Sequence, residues 1–206
     1  MPCQTEPVGA RETKKSKTRR TLADRAIQLF SERGYDDVTM AEVASAAGVS
    51  RRTAFRYFPS KDDLLMQYPA EWLAVFDQFM EEHQQRPLPD RLTGACVAVA
   101  DHIEADPKPV RQLFGLAAVH PGLAGSYAVS STAWVHRIAA EVQLDRTDET
   151  ECLMLAAAVM GVINTACEVW ATSTQPLGPL IVRGLDLLAD PIRRPSSKYP
   201  DNSISS

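Results

Sequence analysis

Residues 39–63, TMAEVASAAGVSRRTAFRYFPSKDD, write a helix, a tight turn and a second helix in 25 positions. Thr39 can cap the first helix: its hydroxyl accepts a free backbone amide, while Glu42, three residues on, reaches back to the cap's own amide. Met40, Val43, Ala44 and Ala47 then fall at i, i+3, i+4 and i+7, which stacks them on one apolar face. Gly48 stops the helix, because glycine takes the left-handed conformation at little cost. Val49 then points into the angle between the helices and Ser50 can cap the next one. The second helix, from Arg51 to about Phe58, gives Ala54 and Phe58 to a core and leaves Arg51, Arg52, Phe55 and Arg56 along the other side. From Val43 to Lys61 there are four basic side chains and no acidic one, although the whole chain has 22 basic and 26 acidic residues, a net charge of -4. A major groove admits one helix, an arginine grips guanine O6 and N7 as a planar fork, and apolar groups meet thymine methyls. The segment therefore reads as a DNA-binding helix-turn-helix rather than a merely solvated basic surface. Ser60 caps a further helix with Asp63 three residues on, and Lys61 in its first turn suits a phosphate, a plain surface lysine being the alternative.

Upstream, Leu22, Ala23, Ala26, Ile27 and Phe30 recur at helical spacing, and Arg33-Gly34 supplies a cationic last turn and a stop. With Tyr35 and Val38 this helix completes a three-helix core too small to be very stable alone, which favours its resting on a larger body. Residues 1–17 are polar and aperiodic and are expected to be a disordered arm. In and beside it, Lys14, Lys15, Lys17, Arg19 and Arg20 form a basic cluster that can track phosphates or a minor groove, or can simply solubilise.

Downstream, an apolar stripe runs from Leu64 through Tyr68, Trp72 and Phe76 to Met80, interrupted by Pro69, where the helix must kink or restart. Such a kink lies between the two halves of the chain, either as part of a signalling route or as a structural bend. Arg86-Pro87-Leu88-Pro89 and Asp106-Pro107-Lys108-Pro109 are breaks; Asp90 can cap a helix to about Ala105, and a short one covers 110–119. Helices are expected from Pro121 to about Leu144, from Thr147 or Asp148 to Thr172, and from Pro176 to Ala189. No segment alternates with period two, so the fold class is all-α, about nine helices. The domains are a DNA-binding unit over 18–66 and a helical bundle over 67–190, with a disordered tail over 191–206.

Charge divides unevenly: residues 1–60 hold a net of +4 and residues 61–206 a net of -8, so overall acidity does not argue against DNA. The longest uninterrupted apolar run, Leu153 to Ile163, is too short to span a bilayer and the N-terminus lacks a signal-peptide core, so a cytoplasmic protein with no membrane partner is expected. Cys3, Cys96, Cys152 and Cys167 show no metal spacing and read as reduced thiols packed in helices. No catalytic, phosphate-loop or dinucleotide motif is present, so neither an enzyme nor a cofactor is expected.

The stretch GYDDVTMAEVASAAGVSRRTAFRYFPSKDDLL, with LFSERGYDDVT overlapping its start, resembles the N-terminal domain of the TetR family of bacterial transcriptional regulators over residues 18–66. The resemblance implies a mostly helical homodimer that binds a palindromic operator, usually as a repressor released by a small organic molecule. Carried over by position, it implies that Arg51, Arg52, Thr53, Phe55 and Arg56 face bases, and that Thr39, Ser50, Tyr57 and Lys61 face phosphates. The Arg51-Arg52 pair departs from the lysine or glutamine followed by a small residue of many members, so the bases read are not inherited.

The remaining two thirds matches the family only in size and helical character. His102, Phe114, Tyr127, Trp134, Asn164 and Trp170 are the residues singled out for a ligand pocket, ordinary core packing being the alternative for each. Ala157, Gly161 and Ile181, on the last two helices, are singled out for a dimer interface, with burial inside one subunit as the alternative; Leu180, Leu185 and Leu188 continue that stripe. The rival to a ligand-responsive regulator is a helical small-molecule carrier whose N-terminal domain contacts another protein, a role that would not need three arginines on one acid-free helix.

Overall fold

The computed structural model describes residues 8–144 and 148–189, with side chains placed from Lys14 onward except at 121, 122, 124–129 and 189. The described residues form ten helices and no strand. The N-terminal unit comprises α1 (Val8–Arg33), α2 (Met40–Ala46), α3 (Arg51–Tyr57) and α4 (Lys61–Leu65). The body comprises α5 (Gln67–Glu82), α6 (Leu88–Glu104), α7 (Pro107–Val119), α8 (Pro121–Gln143), α9 (Glu149–Thr172) and α10 (Leu177–Ala189).

Four differences from the sequence reading have physical causes. The extra helix arises because the stripe from Lys61 to Met80 is broken at Met66, so that Pro69 becomes the third residue of α5, where its missing amide has no intrahelical partner to lose. Prolines also sit inside the first turns of α6 and α7, which therefore begin at Leu88 and Pro107 rather than after the proline pairs. The third difference is at the N-terminus. Residues 8–17, expected to be a disordered arm, belong to α1: Ala, Arg, Glu and Lys are strong helix formers, and the Thr18 and Thr21 hydroxyls donate to the carbonyls of Lys14 and Lys17, each at 2.9 Å. The fourth concerns α9, which by length and composition is apolar enough to cross a membrane, a property that the uninterrupted run from Leu153 to Ile163 understates. Residues 1–7, with Cys3, and the tail over 191–206 lie outside the described residues.

One continuous core joins the two units. Leu22, Ile27 and Phe30 of α1 pack with Val43, Ala54 and Phe58, and the buried Leu64, Leu65 and Tyr68 carry the same core into the body. Within the body, α5 packs on α6, α8 on α9, and α10 on both α9 and α6. The corner between α9 and α10 is fastened from α6 and α7. Arg111 donates to the carbonyls of Trp170, Ala171 and Ser173 at 2.6–3.0 Å and so satisfies the end of α9; Glu104 accepts from the Leu177 amide at the start of α10 and from Trp170 Nε1. Close approach of α9 and α10 depends on Gly184, where an added Cβ would stand 2.4 Å from Val162 Cγ1. Cys96, Cys152 and Cys167 are free and buried, as expected of packed thiols.

α9 is apolar on two sides. Cys152, Ala156, Met160 and Trp170 face inward, while Met154, Leu155 and Val169 stay exposed on the outside. This double face, rather than a long uninterrupted run, is what gives the helix its high hydropathy.

Candidate nucleic-acid interface and ligand cavity

The turn between α2 and α3 has the geometry its residues dictate. Thr39 and Glu42 form a reciprocal capping box, Gly48 sits at φ +69°, and the Val49 amide closes on the Ala44 carbonyl at 3.0 Å. Ser50 caps α3 by accepting from the Thr53 amide at 3.1 Å, and the two hydroxyls meet at 2.8 Å. Ala54 and Phe58 anchor α3 in the core. Arg51, Arg52, Phe55 and Arg56 are exposed on its other side, with the Arg51 guanidinium 5.5 Å from the centre of the Phe55 ring. Thr39, Arg51, Phe55 and Lys61 surround one shallow surface groove together with Asp36, which brings residues from three helices to a single strip of surface.

Lys61 is not a free surface cation. Its ammonium donates to the Tyr35 carbonyl at 2.7 Å and lies 4.3 Å above the Tyr35 ring, while the Tyr35 hydroxyl bonds to Asp62, beside it. An ammonium has three donors, so two remain for a phosphate. Tyr57 is half-buried, with Arg56 over its ring and its carbonyl accepting from Arg19 at 3.2 Å.

Arg19 and Arg20, read as part of a basic arm, are placed elsewhere. Arg19 bonds Gln67 at 2.7 Å and stacks over Phe58; Arg20 pairs with Asp24, with Glu71 on α5 at 2.6 Å and with Asp106 between α6 and α7. Tyr68 completes the cluster by donating to Asp24 at 2.5 Å, and burial with that carboxylate pushes its phenol well above the ordinary range. These contacts are a joint between α1 and the body. Lys14, Lys15 and Lys17 remain exposed along the first turns of α1.

Behind the joint lies an apolar cavity with about 40 Å³ of free volume, walled by α5, α6, α8, α9 and α10. Trp72 and Phe76 on α5, Trp134 on α8 and Met160 on α9 form its bulk, with Phe76 and Trp134 edge to face at 5.4 Å. Of the residues singled out for a pocket, Trp134 and Asn164 line it. His102 is exposed, because the neighbouring Ile103 takes the inward position and one residue turns a helix by about 100°. Phe114 is half-buried on α7 away from the wall, Trp170 is held by Glu104 and Arg111, and the Tyr127 side chain lies outside the described residues. The i, i+4 pair Trp72 and Phe76 is visible in the sequence as part of an apolar stripe, a pattern that does not distinguish a cavity wall from a packed core.

The outer side of α9 and α10 presents a second apolar groove, including Ala158, Gly161, Val162, Val169, Leu180 and Leu187. Gly161 is exposed in this groove, whereas Ala157 is exposed on α9 but is not one of the residues that line it. Ile181 is not exposed: it is buried against the inner cavity, three residues from Gly184, so it cannot meet a partner chain.

A helix-turn-helix that presents three arginines, ahead of a helical bundle with an internal apolar cavity, defines a class of DNA-binding regulators. The chain belongs to the tetR family of bacterial regulatory proteins: residues 22–68 match that family, and residues 86–193 match the MftR C-terminal domain. It is similar to MftR of Mycobacterium tuberculosis, a proposed mycofactocin biosynthesis transcriptional regulator, at 28% identity over 85% of this chain and 94% of the relative. Its fold is that of the Thermus thermophilus FadR, a TetR-family repressor solved with lauroyl-CoA, at a TM-score of 0.61 and 20% identity over 88% of this chain and 98% of that one. The fatty acid degradation regulator FadR of Bacillus halodurans superposes at 0.65 with 16% identity, covering 86% and 97%. The protein is a transcriptional regulator.

Proposed function

We propose that this regulator is a cytoplasmic dimeric repressor that grips a two-fold operator through α3 and leaves it when a small organic molecule enters the cavity. The observation that carries this reading is the exposed row of Arg51, Arg52, Phe55 and Arg56 on a helix whose other side is fixed in the core. Arg51, Arg52, Thr53, Phe55 and Arg56 face base edges; Thr39, Ser50, Tyr57 and Lys61 position the strand, with Lys14, Lys15 and Lys17 in reach of flanking phosphates. Seven residues of recognition helix give one short grip, which favours two copies on successive turns of one duplex. The outer face of α9 and α10 is the surface for the second copy, since Met154, Leu155, Val169 and Leu187 are large, apolar and exposed there.

Release follows from the joint. Pro69 and Trp72, in the wall of the cavity, flank Glu71, and Ile103, also in the wall, lies three residues before Asp106; both acidic residues hold Arg20. A ligand that spreads α5 from α6 draws these partners apart, tilts α1 and changes the distance between the two recognition helices. It acts only if it prefers the spread state. Leu187→Glu tests the dimer: its mass by light scattering should fall to that of a monomer and its operator affinity should collapse, with its helical content unchanged. A variant that remains a dimer would move the interface elsewhere.

A further inference from the structure

The cavity permits a deeper inference, which rests on the regulatory reading: the chemistry of the ligand. Sixteen of the described residues line it, and none of these is Asp, Glu, Lys, Arg or His. The two titratable groups among these, the Cys96 and Cys167 thiols, are pushed up to about 12 by burial and so are neutral at physiological pH.

Several charged side chains of the body are engaged in contacts of their own. Arg137 is bound to Asp77 at 2.6 Å and to Glu141 at 2.7 Å, and Arg91 holds the other Glu141 oxygen at 2.8 Å. Arg111 closes the end of α9, and Glu104 accepts from Trp170 and from Leu177. Turning any of these inward would break a cap or leave a partner ion half-buried and unpaired, which costs more than a new pair returns. Among the described residues, the polar side chains of the wall, the thiols apart, are Ser130 and Ser131 on α8 and Asn164 on α9, neutral groups able to donate and accept. Three aromatic rings and several aliphatic side chains make up most of the rest.

We propose that the cavity takes an uncharged, largely apolar molecule carrying a single hydrogen-bonding end, such as an alcohol, ketone or amide, and turns away carboxylates, phosphates and ammonium ions. The apolar body lies among Trp72, Phe76, Trp134 and Met160, and the polar end meets Ser130, Ser131 or Asn164. With about 40 Å³ free, the molecule must part the walls as it enters, and Met160, unbranched and adaptable, is the side chain best able to yield. Entry and the spreading of α5 are then one event.

The test uses the whole chain and two matched pairs of probes, 1-decanol with decanoate and 2-naphthalenemethanol with 2-naphthoate, titrated at neutral pH. Trp72 and Trp134 line the cavity, so tryptophan emission reports entry. In each pair the alcohol should bind about a hundredfold or more tightly than the carboxylate, because the anion would be buried without a partner. An anion that binds as tightly as its alcohol overturns the proposal on charge and leaves the regulatory reading standing. If neither member of either pair changes the emission in a saturable way, the proposal is overturned, while operator binding through α3 stands on its own test.

Discussion

Arg52 and Arg56 stand on the side of α3 that the core does not hold, and the proposed function gives them base edges to meet rather than a part in stability. Replacing the base-reading arginine by alanine should cost about 1 to 3 kcal/mol at one base position and relax the preference there, measured by competition between single-base operator variants. Unchanged affinity and preference in both Arg52→Ala and Arg56→Ala would remove α3 from the groove. Glu42 illustrates the opposite case, a side chain whose work is structural. Hydrogen bonds from the Thr39 amide and hydroxyl, then the Arg33 pair, lower its carboxyl from 4.5 to about 2. A folded-state value below the unfolded one means the contribution is full above about pH 4.5 and is lost as pH falls through about 2. In urea unfolding, Glu42→Gln should therefore lose stability at neutral pH and show a shallower decline over that acid window than the parent. An equal decline in both would mean that the cap does not set the shift.

At the scale of elements, the helices whose ends are written locally were legible and the joint was not. Thr39, Gly48, Ser50 and Asp148 cap or stop helices through neighbours within a few residues, and each is found in that role. Arg20 meets Glu71 and Asp106, which are 51 and 86 residues away, and no local pattern announces such partners. Read locally, Arg19 and Arg20 were two more charges in a basic cluster. Likewise Ile181 carried the right spacing for an interface, but the rotation of α10 against α9, set by the contact of Gly184 with Val162, turns it inward. The joint makes its own prediction. Arg20→Met should weaken operator binding severalfold while leaving the slope of affinity against salt unchanged, since no phosphate contact is lost. An Arg20 that held DNA directly would instead lower that slope by about one unit on removal.

For the whole molecule, the acidic body and the basic reading head have separate tasks. In the proposed function, local positive charge on α1 and α3 attracts DNA, the bundle encloses the cavity, and the outer face of α9 and α10 offers the surface that would hold two reading heads at a fixed distance. The helical bundle is the less legible half, because a cavity is the meeting of five helices, and single residues such as His102 and Phe114 cannot be assigned to it from their chemistry alone. Two recognition helices on one side of a duplex must stand about 34 to 36 Å apart, or a multiple of that distance. Selection of bound sequences from random duplex DNA, followed by sequencing, tests this account most directly. It should enrich an inverted repeat whose half-site centres lie about 10 to 10.5 base pairs apart or a multiple of that. Enrichment of a single asymmetric site, or no enrichment over the starting pool, would contradict it.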